Sequence, residues 1–346
     1  MRTKSELRII ATTTAILVAL FSGVAAPAQA AKPSGTGSGS NSSSAVAATS
    51  KAGAAFLASK FTESKYILGF DGKTPDFGFT LEAMIQRKAG GDSTAALAPS
   101  VKYNLQNAAI TGNLSNRTGY LFNTDKSIKA GLAGKWLFTS SALKAKNSPL
   151  RASVLKALRQ PAAVSKKGVV AGASGSIDYG WVTLGFATNT SLATARLVAN
   201  QILSQQHADG GFGPDSNGDP AISGTDSTGL VLQALVTVKT AGNTSQNKAI
   251  KAAIAKAVAY LQGSATGTNK DHWEAWGGYD VNGTAYAIMG LAAAGVNVSS
   301  YSTWLRGQLS TDGGIKTPWS GDSGDIFATA QGVVALGGFS YLTLTK

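Results

Sequence analysis

The chain has 346 residues, with 31 Lys and Arg against 18 Asp and Glu for a formal charge of +13, no cysteine and two histidines. The missing thiols exclude disulfides, thiolate catalysis and cysteine-ligated zinc, and His207 and His272 are too few for a histidine-rich metal site. The basic excess serves solubility, or attraction to a polyanionic surface such as a cell-wall polymer, but the lysines are scattered, and without a basic run nucleic acid is not an expected partner.

Residues 1–30 read as a signal peptide. Arg2, Lys4 and Arg8 precede an apolar stretch from Ile9 to Val24, and Ala28, Gln29, Ala30 form a small-residue cleavage site. The stretch is short for a membrane span and is interrupted by Thr12, Thr13 and Thr14, so the expected mature chain is secreted and keeps no transmembrane anchor. Residues 31–50, beginning AKPSGTGSGSNSSS, have almost nothing to bury and read as a flexible Gly/Ser-rich linker. Residues 51–346 remain for a single folded domain.

Two kinds of apolar segment alternate in the second half. Leu192 to Gln206 and Asn247 to Gln262 are amphipathic, the latter with Ile250, Ile254, Val258 and Leu261 on one face and Lys248, Lys251 and Lys256 elsewhere. Gly229 to Val238, Ala285 to Ala294 and Ala328 to Leu336 are apolar nearly all round and belong inside. GLVLQALVTV has enough β-branched residues to compete as a strand; its alanine-rich counterparts AYAIMGLAAAG and ATAQGVVALGG favour helix. The pairs Phe56 Leu57, Trp136 Leu137, Ile202 Leu203, Tyr260 Leu261 and Trp304 Leu305 mark the ends of amphipathic segments. Glycine turns follow at Gly210 Gly211 Phe212, Gly277 Gly278 Tyr279 and Gly313 Gly314 Ile315. Stacking such a unit predicts an all-α double layer, amphipathic helices outside and apolar ones inside, closed into a ring of about six helix pairs.

QQHADGGF resembles the Gln-to-Gly-x-Trp motif of squalene cyclases, with Phe212 at the tryptophan position, and TDSTGLVLQAL resembles their DxDDTAxxxxAL region. From about Ala54 to Gly338 the chain is similar to the α/α toroid superfamily of terpenoid cyclases and protein prenyltransferases, and closest to its small exported bacterial members. That resemblance implies a ring whose mouth admits ligands, at the N-terminal ends of the inner helices. It implies lyase- or isomerase-type cyclase chemistry only through the middle acid of the triplet, which corresponds to Asp226. The flanking acids are Gly224 and Ser227 here, and an isolated carboxyl is a poor proton donor to an alkene. Without cysteine, prenyltransferase zinc chemistry is excluded, and no cofactor is expected.

Asp76, Asp178, Asp226 and Asp325 each stand just before an apolar helix, as N-capping residues do. Capping is therefore the first expectation for Asp226 and catalysis the second. Candidate ligand-binding residues at the mouth are Asp76, Phe77, Phe79, Asp178, Tyr179, Trp181, Phe212, Trp276, Tyr279, Tyr286, Asp325 and Phe327, an aromatic supply suited to an apolar or ring-containing small molecule. Asp215, Asn217 and Asp219 in PDSNGDP alternate like part of a calcium loop, but no glutamate closes the frame, so a solvated turn is expected. The functional expectation is an exported, non-catalytic ligand-binding or cell-surface toroid. A cyclase-like or glycan-active enzyme using the same mouth, and a cell-envelope scaffold, are the alternatives.

Overall fold

The computed structural model describes residues 39–107, 119–145, 149–159, 167–189, 192–215, 217–242 and 244–345. The signal-peptide segment lies outside these residues. The described residues from Ser40 onward form one folded unit. Its first helix, α1 (Gly39–Lys60), begins inside the segment expected to be a linker. The run from Ala45 onward alternates alanines with small polar residues, which a helix accepts, and Ala54, Phe56 and Leu57 bury its later turns.

Six helices form the inner layer: α2 (Phe77–Ala89), α4 (Ala130–Ala142), α6 (Ser176–Asn189), α8 (Thr225–Val238), α10 (Val281–Ala293) and α12 (Ile326–Leu336). Each packs on the next, and α12 packs back on α2, so the layer closes on itself. The outer partners are α1, α3 (Thr94–Ser100) continued by a π turn at Val101–Asn107, α5 (Pro149–Arg159), α7 (Leu192–Ser204), α9 (Ser245–Ser264) and α11 (Ser299–Arg306). The expected ring of six pairs is therefore present, with GLVLQALVTV helical inside α8. Trp136 and Leu137 lie fully buried within inner helix α4 rather than at the end of an outer one. Their helix, AGLAGKWLFTSSA, buries almost every position, and the aromatic–Leu pair is a core pair there.

Close helix approach depends on glycine at two seams. A Cβ on Gly185 of α6 would lie 2.6 Å from the carbonyl oxygen of Gly134 in α4, and one on Gly290 of α10 would lie 2.6 Å from that of Gly229 in α8. Both distances are far inside van der Waals contact, so these backbones touch only because the side chains are absent.

The chain enters four inner helices through one repeated device. The amide N–H groups of Asp76, Gly224, Asp280 and Asp325 donate to the carbonyls of Ile67, Phe212, Trp273 and Ile315 at 2.9, 2.8, 2.8 and 2.8 Å. Four residues on, Thr80, Thr228, Thr284 and Thr329 each accept at Oγ1 from the N–H of that same residue, at 2.9, 2.9, 3.1 and 2.8 Å. All four threonines are fully buried. A Thr329→Val substitution keeps the shape and strands the Ile315 N–H, so it should cost about 2 kcal/mol in urea unfolding. A loss under about 0.5 kcal/mol would show that the threonine hydroxyl is not what anchors the turn.

At the opposite end, arginines of the outer helices cover inner-helix carbonyls. Arg151 reaches Asn189 O at 3.1 Å, Arg196 reaches Val238 O at 2.5 Å and Arg306 reaches Leu336 O at 2.7 Å. Cations belong at helix C-termini and carboxylates at N-termini. The ring is thereby polarised, with acids at the mouth and arginines at the base.

Candidate binding site at the ring mouth

The lumen is filled in layers. Glu82 of α2, Lys135 of α4, Trp181 of α6, Tyr286 of α10 and Gln331 of α12 occupy the second helical turn. Glu82 is 1% exposed and accepts from Lys135 Nζ at 2.9 Å, from Gln331 Nε2 at 3.3 Å and from the Tyr286 hydroxyl. The Lys135 ammonium also lies 4.9 Å from the centre of the Trp181 ring. Burial, followed by the Glu82 charge, pushes the Tyr286 hydroxyl well above the usual phenol range, so it remains a donor. One layer lower, the 3₁₀ turn Tyr341–Leu344 inserts Tyr341. Its N–H donates to Gln233 Oε1 of α8 at 2.9 Å, its hydroxyl accepts from Gln86 Nε2 of α2 at 3.2 Å, and its ring lies within 6 Å of Phe138 and Trp181.

Above this floor lie the N-terminal turns of the inner helices and the sequence-predicted site. Asp76 and Asp325 are N-caps as expected, accepting from Phe79 N at 2.9 Å and Ala328 N at 2.7 Å. A third cap, Asp280, accepts from Gly283 N at 2.9 Å and was missed. The spacing Asp-x-x-x-Thr, shared by Asp76–Thr80, Asp280–Thr284 and Asp325–Thr329, would have found it.

Asp226 is not the N-cap of α8. That position belongs to Gly224, which has no side-chain bond to offer, and Asp226 sits in the first turn. Its carboxylate accepts from the adjacent Ser227 N–H at 2.7 Å rather than from Thr228 and Gly229. Removal from water, reinforced by the negative charge of Asp280 and opposed by the Ser227 bond, pushes it up to about 6. Seven residues above Gln233, it shares the helix face that Gln233 turns to the lumen. Asp178 likewise lies inside the first turn of α6, where its carboxylate reaches back to Ser174 N at 2.9 Å and Ser174 Oγ at 3.1 Å. In both cases the helix starts earlier than the apolar pattern implied.

The aromatic candidates divide. Phe79 and Phe327 converge at 4.5 Å between ring centres, and Phe70, which the sequence reading overlooked, stacks on Phe327 at 3.8 Å while 81% exposed. Phe77 instead stacks on Tyr120 at 4.0 Å, and Tyr279 packs edge-on to Trp304. Phe212 and Tyr179 are buried packing residues, whereas Trp181 and Tyr286 belong to the lumen floor and Trp276 stands out in solvent.

Among the described residues, concavities of two sizes open at these turns. The larger, about 750 Å³, is bounded by the Ser174–Asp178 turn, the α7 end at Ser204–His207, and Gly213, Pro214, Gly218 and Pro220 of the loop before α8. Pro214 O accepts from Ser227 Oγ at 2.7 Å, which places the Asp226 turn directly behind that wall. The smaller, about 410 Å³, lies over Phe70, Asp76, Phe77, Tyr120 and Lys129. His207 Nδ1 is 2.9 Å from Ser223 Oγ, which donates to Asp209 at 2.8 Å; Asp209 also accepts from Gly211 N at 2.9 Å, so this triad braces the glycine turn. Gln206 ties the same turn to α9 through Gly210 O and Ala253 O, both at 2.9 Å. Within PDSNGDP, whose Ser216 lies outside the described residues, Asp215 accepts from Asn217 N and Asp219 N at 2.9 Å. Among the described residues no group of three or more His, Cys, Asp or Glu is placed to hold a metal ion, and no helix is long and apolar enough to cross a membrane.

No protein-family model matches the sequence. No curated protein matches it either. Solved structures do share its architecture. The apo type II terpene cyclase MstE from Scytonema is 14% identical, with a TM-score of 0.57 over 84% of this chain and 97% of the cyclase. A protein from Actinoplanes gives 15% identity and a TM-score of 0.58 over 85% and 99% of the two chains. An unsaturated glucuronyl hydrolase specific for heparin gives 12% identity and a TM-score of 0.56 over 88% and 98%. The shared feature is the fold, an α/α toroid.

Proposed function

We propose that the protein is an exported ligand-binding toroid that seats a small, ring-containing molecule at the mouth of its inner ring, outside the filled lumen. The observation that carries this reading is the cavity of about 750 Å³ at the N-terminal turn of α6, a size that suits a small organic ligand. Ile177, Pro214 and Pro220 offer it apolar surface, while Asp178, Gln205 and His207 offer polar partners. A variant of its neighbour in fold, the Scytonema type II terpene cyclase, has been seen in complex with merosterolic acid A as product, which supports a small organic ligand here. Export rests on the leader-like first thirty residues.

Gly175 provides a clean test. A Cβ there meets nothing within 4 Å, and Gly175 lines the cavity, so Gly175→Trp fills the space without pressing on the core. Native mass spectrometry of the mature protein collected from the culture medium should find a retained small molecule on the parent chain. The variant should lose it with a melting temperature unchanged to within about 2 °C. Retention by the Trp variant, or an empty parent chain, would refute the assignment.

A further inference from the structure

Two tryptophans on the mouth-side loops stand in solvent. Trp276 is 57% exposed and Trp319 64%, their ring centres are 6.2 Å apart, and their planes meet at 67°. Trp276 is held in place: its indole N–H donates to Asn217 Oδ1 at 3.0 Å, and the Asn217 amide donates in turn to Asp215 at 3.2 Å. With its N–H engaged, the ring has its π surface left to offer.

The backbone beneath Trp276 is unusual for so large a residue. The short strands β1 (Glu274–Ala275) and β2 (Gly278–Tyr279) pair antiparallel around the two-residue turn Trp276–Gly277. Both turn residues have positive φ, 52° and 79°. Asn, Asp or Gly is the normal first residue of such a turn, and a bulky ring there is conformationally costly. Core packing does not explain the choice, because the ring is 57% exposed and meets the exposed Trp319 and the Asn217 side chain that holds its N–H.

Charge identifies the occupant. Around the corner Asp219, Glu274 and Asp322 are exposed and Asp215 is half-buried, with Lys270 and Lys316 at the flanks, while Asp280 and Asp325 are engaged as helix caps and Asp271 is held by His272. The amide of Asp219, with the Asn217 and Gly218 amides, holds the Asp215 carboxyl below its usual range, so it stays charged. The exposed carboxylates nearest the rings, Glu274 and Asp219, with the half-buried Asp215, favour a cation over an anion there. A cation over the face of an indole is attracted by the ring quadrupole, and nearby carboxylates add to the attraction. We propose that Trp276 and Trp319 form an aromatic corner that binds an organic cation bearing an alkylated ammonium group.

The test compares choline with its uncharged carbon isostere, 3,3-dimethyl-1-butanol, by tryptophan fluorescence titration of the full chain at low salt. Choline should bind about tenfold or more tightly than the isostere, and its affinity should fall as sodium chloride is added. Trp276→Ala and Trp319→Ala should each weaken choline about tenfold. Both side chains are largely exposed, so the melting temperature should hold, and Trp319→Ala, outside the hairpin, stands as an independent variant should Trp276→Ala disturb the turn. Equal binding of choline and the isostere reduces the corner to an apolar patch and overturns the proposal. Binding of tetra-N-acetylchitotetraose or of phosphatidylglycerol vesicles in place of choline overturns it in favour of a saccharide or a membrane. The mouth cavity filled by Gly175→Trp is a separate site, and that variant should bind choline as the parent does.

Discussion

Replacing Lys135 by methionine should destabilise the protein by about 3–5 kcal/mol. The side chain of Glu82 is 2% exposed and that of Lys135 14%, and they meet at 2.9 Å in the lumen. Methionine fills the lysine stem but leaves a carboxylate without its counter-charge, facing only the neutral donors Tyr286 and Gln331. An uncompensated buried charge costs far more than the net worth of the pair it came from. The double variant Lys135→Met, Glu82→Leu should therefore recover most of the loss. Urea unfolding of parent, both single variants and the double variant closes the cycle. A single-variant cost under about 1 kcal/mol would mean that water reaches Glu82 from the mouth, and the floor described above would not be sealed.

The second large effect has the opposite sign. Asp226→Asn should stabilise the protein by about 2–3 kcal/mol at pH 7 to 8 and leave it unchanged near pH 3. The folded carboxyl titrates at about 6 against an ordinary 3.8. Below pH 3.8 both folded and unfolded chains hold the proton, and no cost exists. Between that value and about 6 the unfolded chain releases its proton while the folded chain keeps it, so parent stability declines as pH rises; above 6 the decline is complete. Asparagine removes that titration and keeps an acceptor for the Ser227 N–H. Unfolding curves at successive pH values should converge at low pH and separate above 5. A variant less stable than the parent at pH 8 would mark Asp226 as an ordinary first-turn carboxylate that favours the helix dipole. A buried, destabilising acid beside the proposed ligand mouth motivates a second proposal, in which Asp226 passes a proton to the bound molecule. The asparagine chain would then hold the ligand without converting it.

The ring was legible because its inner helices must be apolar on every side and its outer ones on a single face. That contrast is strong in Gly229–Val238 against Asn247–Gln262, and the structure places the first inside and the second outside. It fades in the first half. AGLAGKWLFTSSA mixes glycine, lysine and hydroxyls into a helix that is nonetheless interior, because Lys135 finds Glu82, and Ser140 and Thr139 bond to carbonyls of Ala145 and Lys135. A residue pattern carries no record of partners that lie far along the chain. The same limit hid Glu82, Tyr286 and Tyr341 as members of one buried network. The caps at Asp76 and Asp325 were readable because they are local, whereas Asp178 and Asp226 were misassigned because helices α6 and α8 begin a turn earlier than hydrophobicity alone shows.

The insertion of Tyr341 at the base makes the annulus a cup rather than a tunnel. Among the described residues the filled lumen leaves the acidic side as the face open to a ligand, so the proposed ligand would come and go past the loops that overhang it. Those loops are also where the exposed rings and the carboxylates are gathered, which makes capture and escape two readings of one set of side chains.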